Sequence, residues 1–102
     1  MIVYNVTINI DDEVHDAWVA WMKKEHIPAV MQCGLFTQAR MSKMLVDEES
    51  GTTYSIQYVA NTMLDYEKYV KDFAPALQAE TQLRFKDKFV AYRSIMEVIE
   101  QF

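Results

Sequence analysis

Residues 2 to 10, Ile-Val-Tyr-Asn-Val-Thr-Ile-Asn-Ile, alternate with a period of two and are rich in β-branched side chains, the pattern of a strand. Ile2, Tyr4, Val6, Ile8 and Ile10 then share one face, and Val3, Asn5, Thr7 and Asn9 the other. From Val14 the period changes. Val14, Ala17, Trp18, Trp21 and Met22 recur at three- and four-residue steps, one apolar stripe of a helix, with Asp11 or Asp12 available as its N-cap. Pro28 lacks an N–H and disfavours α geometry at Ile27, so this helix is expected to end near His26. A new short helix then runs from Pro28 to Cys33 and is closed by Gly34, which makes the first crossover a bent helix.

Leu35 to Val46 reads as a second strand, Asp47-Glu-Glu-Ser-Gly51 as a hairpin turn, and Thr52 to Ala60 as a third strand. In the third strand Tyr54, Ile56 and Tyr58 share a face, opposite Thr53, Ser55, Gln57 and Val59. Asn61 or Thr62 caps a second helical stretch carrying Tyr66, Tyr69, Val70, Phe73 and Leu77. Pro75 marks a break or restart in it, and the amphipathic pattern continues to about Lys88. Phe89 to Ile99 is a last strand. The order βαββαβ predicts an α+β, ferredoxin-like domain over residues 1–102, with a four-stranded antiparallel sheet of order 4-1-3-2 and helices on one face.

That arrangement leaves the other sheet face bare. With Tyr4, Val6, Ile8, Ile56 and Tyr58 beneath the helices, the open face carries Asn5, Thr7, Asn9, Ser55 and Gln57. A sheet face bathed in water commonly carries Lys and Glu, whereas these are uncharged amides and hydroxyls, the composition of a wet interface or a cavity wall. A homodimer through this face is the expected partner arrangement, set against a plain solvated face built from residues of high strand propensity. Arg40, Lys43 and Arg93 leave the register of the second and fourth strands open.

Charge narrows the function classes. A formal net charge of -5 argues against nucleic acid, whose binding rests on clustered Lys and Arg. The excess acid falls at a helix N-terminus (Asp11, Asp12, Glu13, Asp16) and in the turn at Asp47, Glu48 and Glu49, where carboxylates have structural reasons to be, and at Glu97 and Glu100. One cysteine, Cys33, can form no internal disulfide and has no basic neighbour to activate it. The N-terminal residues lack the basic region and apolar run of a signal peptide, and no window reaches the ~18 apolar residues of a membrane span, so a cytoplasmic protein is expected.

Trp18-x-x-Trp21-Met22-x-x-x-His26-Ile27-Pro28, Gly34-Leu35-Phe36, Arg40, Thr53-Tyr54-Ser55-x-Gln57-Tyr58, Tyr66 and Tyr69, Ala74-Pro75-Ala76-Leu77 and Phe85-x-Asp87-Lys88-Phe89-Val90 together resemble a small bacterial family known as a domain of unknown function. In fold it is similar to the dimeric α/β-barrel superfamily, which includes antibiotic-biosynthesis-type monooxygenases and muconolactone isomerases. The resemblance implies two sheets facing each other across a dimer, with small-molecule pockets between sheet and helices. It supplies no catalytic residues.

The candidate chemistry therefore comes from the residues themselves. His26 titrates near neutrality and is the best candidate for acid–base work, although a histidine at a helix C-terminus also caps free carbonyls. Arg40 and Arg93, both in strands, are candidates to hold a carboxylate or enolate, or else to pair with a neighbouring acid. Trp18, Trp21 and Tyr58 are candidates to line a ligand pocket, against a plain core role. His15 is expected to be solvated. Neither a metal site nor a cofactor is expected: the histidines lack ligand spacing, and Gly34 and Gly51, the two glycines, cannot form a phosphate loop. The reading is a homodimeric small-molecule-binding or interaction module. The alternative is a cofactor-independent monooxygenase or isomerase acting on a small aromatic or enolisable compound.

Overall fold

A computed structural model describes all 102 residues. Strand β1 (Ile2–Ile10) lies at the centre of one sheet, antiparallel to β3 (Thr52–Ala60) on one side and to β4 (Phe89–Glu97) on the other. Strand β2 (Gln38–Lys43) completes it at the β3 edge, giving the order β2-β3-β1-β4, which is the predicted 4-1-3-2 order read from the opposite edge. Four helices, α1 (His15–Trp21), α2 (Ile27–Gln32), α3 (Met63–Asp72) and α4 (Ala74–Phe85), connect the strands in the ferredoxin-like manner. None is long and apolar enough to cross a membrane.

The period-two pattern of β1 becomes strict alternation, with Ile2, Tyr4, Val6, Ile8 and Ile10 buried and the intervening residues half-buried. Tyr54, Ile56, Tyr58 and Ala60 do the same in β3. Against them pack Trp18, Trp21, Met22 and Val30 from the first crossover and Tyr69, Ala74 and Phe85 from the second. Tyr4 is the hub of an aromatic cluster, its ring centroid 6.2 Å from Phe36 and 5.8 Å from both Tyr58 and Tyr69.

Three local expectations are corrected. Pro28 does not break the first helix. Residues 22 to 26 form a π turn, in which the Ile27 N–H bonds the Met22 carbonyl five residues back, and Ile27 keeps helical angles (φ −61°, ψ −44°) directly before the proline. The widened turn absorbs the missing donor, so the chain stays helical from His15 to Gln32 and His26 lies inside it rather than at its end. Strand β2 is shorter than the run from Leu35 to Val46, because after the Gly34 turn (φ +78°) Phe36 is drawn into the core instead of into the sheet. Strand β4 stops at Glu97, two residues short of Ile99.

Candidate functional site

The strand registers settle which strand residues meet. Asn5 pairs with Gln57 and Ser94, and Gln57 in turn with Arg40. Because faces alternate along each strand, Arg40 belongs with the open face, whereas Arg93, opposite Val6, belongs with the helix-covered one. The two arginines are therefore on opposite sides of the sheet.

Between the covered face, the 22–26 turn and helices α3 and α4 lies a small cavity, about 30 Å³, whose polar lining comes from Tyr4, His26, Tyr58, Tyr69, Gln78, Thr81 and Arg93. The guanidinium of Arg93 donates through Nε to Tyr4 Oη at 3.1 Å. It takes part in none of the four ion pairs of the chain, so this cation approaches the cavity without a carboxylate to neutralise it. Burial lowers the His26 pKa below its ordinary value, reinforced by the Arg93 charge and opposed by Glu80. The imidazole is consequently neutral at pH 7 and able to accept a proton. Burial likewise raises the phenols of Tyr4, Tyr58 and Tyr69, which stay protonated donors. A water-sized space flanked by one unpaired cation, one neutral imidazole and several hydroxyls can hold an anionic or carbonyl oxygen and exchange a proton with it.

Of the residues singled out in the sequence, His26, Arg93 and Tyr58 are brought together here. Trp21 is adjacent but does not line the cavity. Its ring stacks on His26 at 4.9 Å, meets Phe85 at 5.3 Å and lies under the Arg84 guanidinium at 5.6 Å. Trp18 is fully buried against Tyr54, 5.1 Å between centroids. Both indole N–H groups are buried without an acceptor, which marks the rings as packing elements here. Arg40 is remote from the cavity. Gln78 and Thr81 carried no sequence signal, since single polar residues on the inner side of an amphipathic helix look like its surface until α4 is docked.

His15 is not solvated as expected. It bridges Asp16, at 2.8 Å from Nδ1, and the Tyr54 hydroxyl, at 2.6 Å from Nε2, and so ties the start of α1 to β3. On the open face, Asn5 accepts from Ser55 Oγ (2.6 Å) and donates to Thr7 Oγ1 (3.0 Å) and Ser94 Oγ (3.3 Å). Asn9 donates to Thr53 Oγ1 at 3.1 Å. Asn5, Thr7, Ser55 and Ser94, and separately Asn9 and Thr53, thus satisfy one another within one chain, whereas the Gln57 amide makes no such bond.

The chain belongs to the family described as domain of unknown function (DUF4286), whose model matches residues 1–99. No curated protein matches it by sequence. Among solved structures it is similar to HapK from Hahella chejuensis, with 10% identity, a TM-score of 0.75 and coverage of 100% of this chain and 96% of that one. A dimeric ferredoxin-like protein from an uncultured marine organism has 12% identity and a TM-score of 0.72 over 100% and 98% of the two chains. SnoaB, a cofactor-independent oxygenase from Streptomyces nogalater, has 10% identity and a TM-score of 0.68 over 98% and 95%. At these identities the likeness establishes a shared fold.

Proposed function

We propose that this chain is a homodimeric module of the cytoplasm that binds a small oxygen-bearing ligand between its sheet and helices. The single observation that carries the reading is Arg93. It approaches the cavity from the covered face of the sheet, bonds the Tyr4 hydroxyl at 3.1 Å and has no acid partner. Arg93 is exposed and solvated along part of its length, so it needs no partner for stability, and its guanidinium at the cavity is free to hold an anionic or strongly polar group. The dimer is supported by the uncharged amides and hydroxyls that the two central strands present on the open face, and by a neighbour of the same fold that is itself dimeric.

A specific arrangement favours the oxygenase or isomerase reading as the second choice: neutral His26 lines the same cavity as Arg93, so a base and an oxyanion holder share one space. Size weighs on both readings: about 30 Å³ admits one or two waters, so any organic ligand, and an aromatic substrate most of all, would require α4 or the Arg93 side chain to move aside. Native mass spectrometry of gently purified protein tests both readings. Retention of a small organic mass by wild type and its loss in Arg93→Met supports binding through this cavity. A bare dimer in both removes it, and a retained compound converted under air by wild type but not by His26→Gln promotes the enzyme.

A further inference from the structure

The largest concavity of the molecule is elsewhere. It is an open groove on the β2 side of the sheet, where α1, the π turn and α2 pass over the edge strand, with a volume of about 550 Å³. Val19, Ile27, Met31, Ala39 and Met41 give it an apolar floor. Its charged lining is Lys23, Arg40 and Lys43, with no Asp or Glu among the lining residues. None of these three cations enters an ion pair, although the chain carries 15 acids against 10 bases. Tyr54 closes the groove beside Lys43, its strand partner, and its hydroxyl is fixed by His15, which Asp16 holds in turn. Asp16 is the one acid connected to the groove, and the imidazole stands between it and Tyr54.

We infer that this groove binds an amphiphilic carboxylate of medium length, a free fatty acid or aryl-alkyl acid, with its chain on Ile27, Met31 and Met41 and its carboxylate between Lys23 and Lys43, the two cations on the helix-covered side. Arg40 borders the groove from the edge strand and turns to the open face. The volume falls in the range of small-ligand sites. The chemistry is complementary at both ends: an apolar trough takes the tail, and unpaired cations in an otherwise acidic protein take the head. A plain apolar molecule leaves Lys23 and Lys43 without a counter-charge, and a small hydrophilic anion leaves the trough wet, so the amphiphile satisfies both at once. The inference is independent of the His26 and Arg93 cavity, which opens toward α4 and shares no lining residue with this groove.

The test titrates the full chain with decanoate below its micellar range, with decanol and acetate in parallel, while amide resonances are followed by NMR. Saturable decanoate shifts confined to residues 19–31 and 39–54 are expected, with decanol and acetate each binding at least about tenfold more weakly. Lys23→Ala with Lys43→Ala should weaken decanoate by about tenfold, leave decanol unchanged and leave the melting temperature in place, as both lysines are exposed. Equal binding of decanoate and decanol makes the groove merely apolar and overturns the inference. So does equal binding of acetate, a response centred on Arg93 instead, or no saturable binding at all. Displacement of decanoate by an acidic peptide that binds more tightly assigns the groove to a protein partner and also overturns it.

Discussion

The rings of Trp21 and His26 stack at a centroid distance of 4.9 Å and an interplanar angle of 30°, although they are five residues apart on one helical segment. In a regular α-helix a five-residue step rotates a side chain about 140° away from its starting face. The π turn over Met22–His26 removes much of that rotation, because its hydrogen bonds close on the fifth residue. The turn that accommodates Pro28 thus also carries His26 round to the Trp21 side and into the cavity beneath the sheet.

A buried neutral His26 makes stability depend on pH. Its folded pKa lies below the unfolded value of about 6.5, so the unfolded chain binds the proton more readily. The contribution of the neutral ring is complete above about pH 6.5 and is lost as the pH falls through the folded pKa. Urea midpoints should drop more between pH 7.5 and 5.5 for wild type than for His26→Gln. Parallel curves for the two proteins would mean that the ring is free to charge in the folded state.

Trp21→Ala should destabilise the chain by ~3 to 5 kcal/mol in urea unfolding, since it removes a large ring packed between His26 and Phe85. A loss below about 1 kcal/mol would place the indole on a surface rather than in a packed layer.

The two glycines should respond differently to alanine. Both have positive φ, +78° at Gly34 and +74° at Gly51. A Cβ at Gly34 meets nothing within 4 Å, so Gly34→Ala carries only the left-handed backbone penalty, about 1 kcal/mol. At Gly51 the same atom runs into the Asn9 side chain and comes within 2.8 Å of the Ile10 carbonyl oxygen, so Gly51→Ala should lose about 3 kcal/mol. Equal midpoints for the two variants would contradict this packing of the 47–51 turn against β1.

Light scattering should report about 24 kDa, twice the 12.0 kDa chain, and Gln57→Lys should shift the protein toward monomer by placing a cation beside Arg40 on the open face. A wild-type monomer at tens of micromolar, or a variant that stays dimeric, would remove this face as the interface.

The sheet was legible because its two central strands declare themselves locally: alternation in residues 2 to 10 and 52 to 60 fixes both faces without any knowledge of the partner strand. Strand β2 was less legible, since Leu35 and Phe36 are as apolar as strand residues and only the docked helices make Phe36 core. Proline rules misjudged Ile27 because a π turn has no simple sequence signature and is stabilised by the packing of Trp18, Trp21, Met22 and Val30. His26, Arg93 and Tyr58 were found by residue type, yet their assembly depended on register. Arg40 and Arg93 look equivalent in sequence and differ only in which neighbour each faces.

The hydrogen bonds around Asn5 bear on how readily two copies could part. Its carbonyl oxygen and both directions of its amide reach Ser55, Thr7 and Ser94, tying β3 and β4 to β1 without help from outside. When a covering chain leaves such a face, few donors or acceptors are stranded, and water has only to wet what is already satisfied. An interface of this kind has a low barrier to exchange, so mixed pairs with any sibling chain bearing a matching face should form on simple mixing rather than only during synthesis.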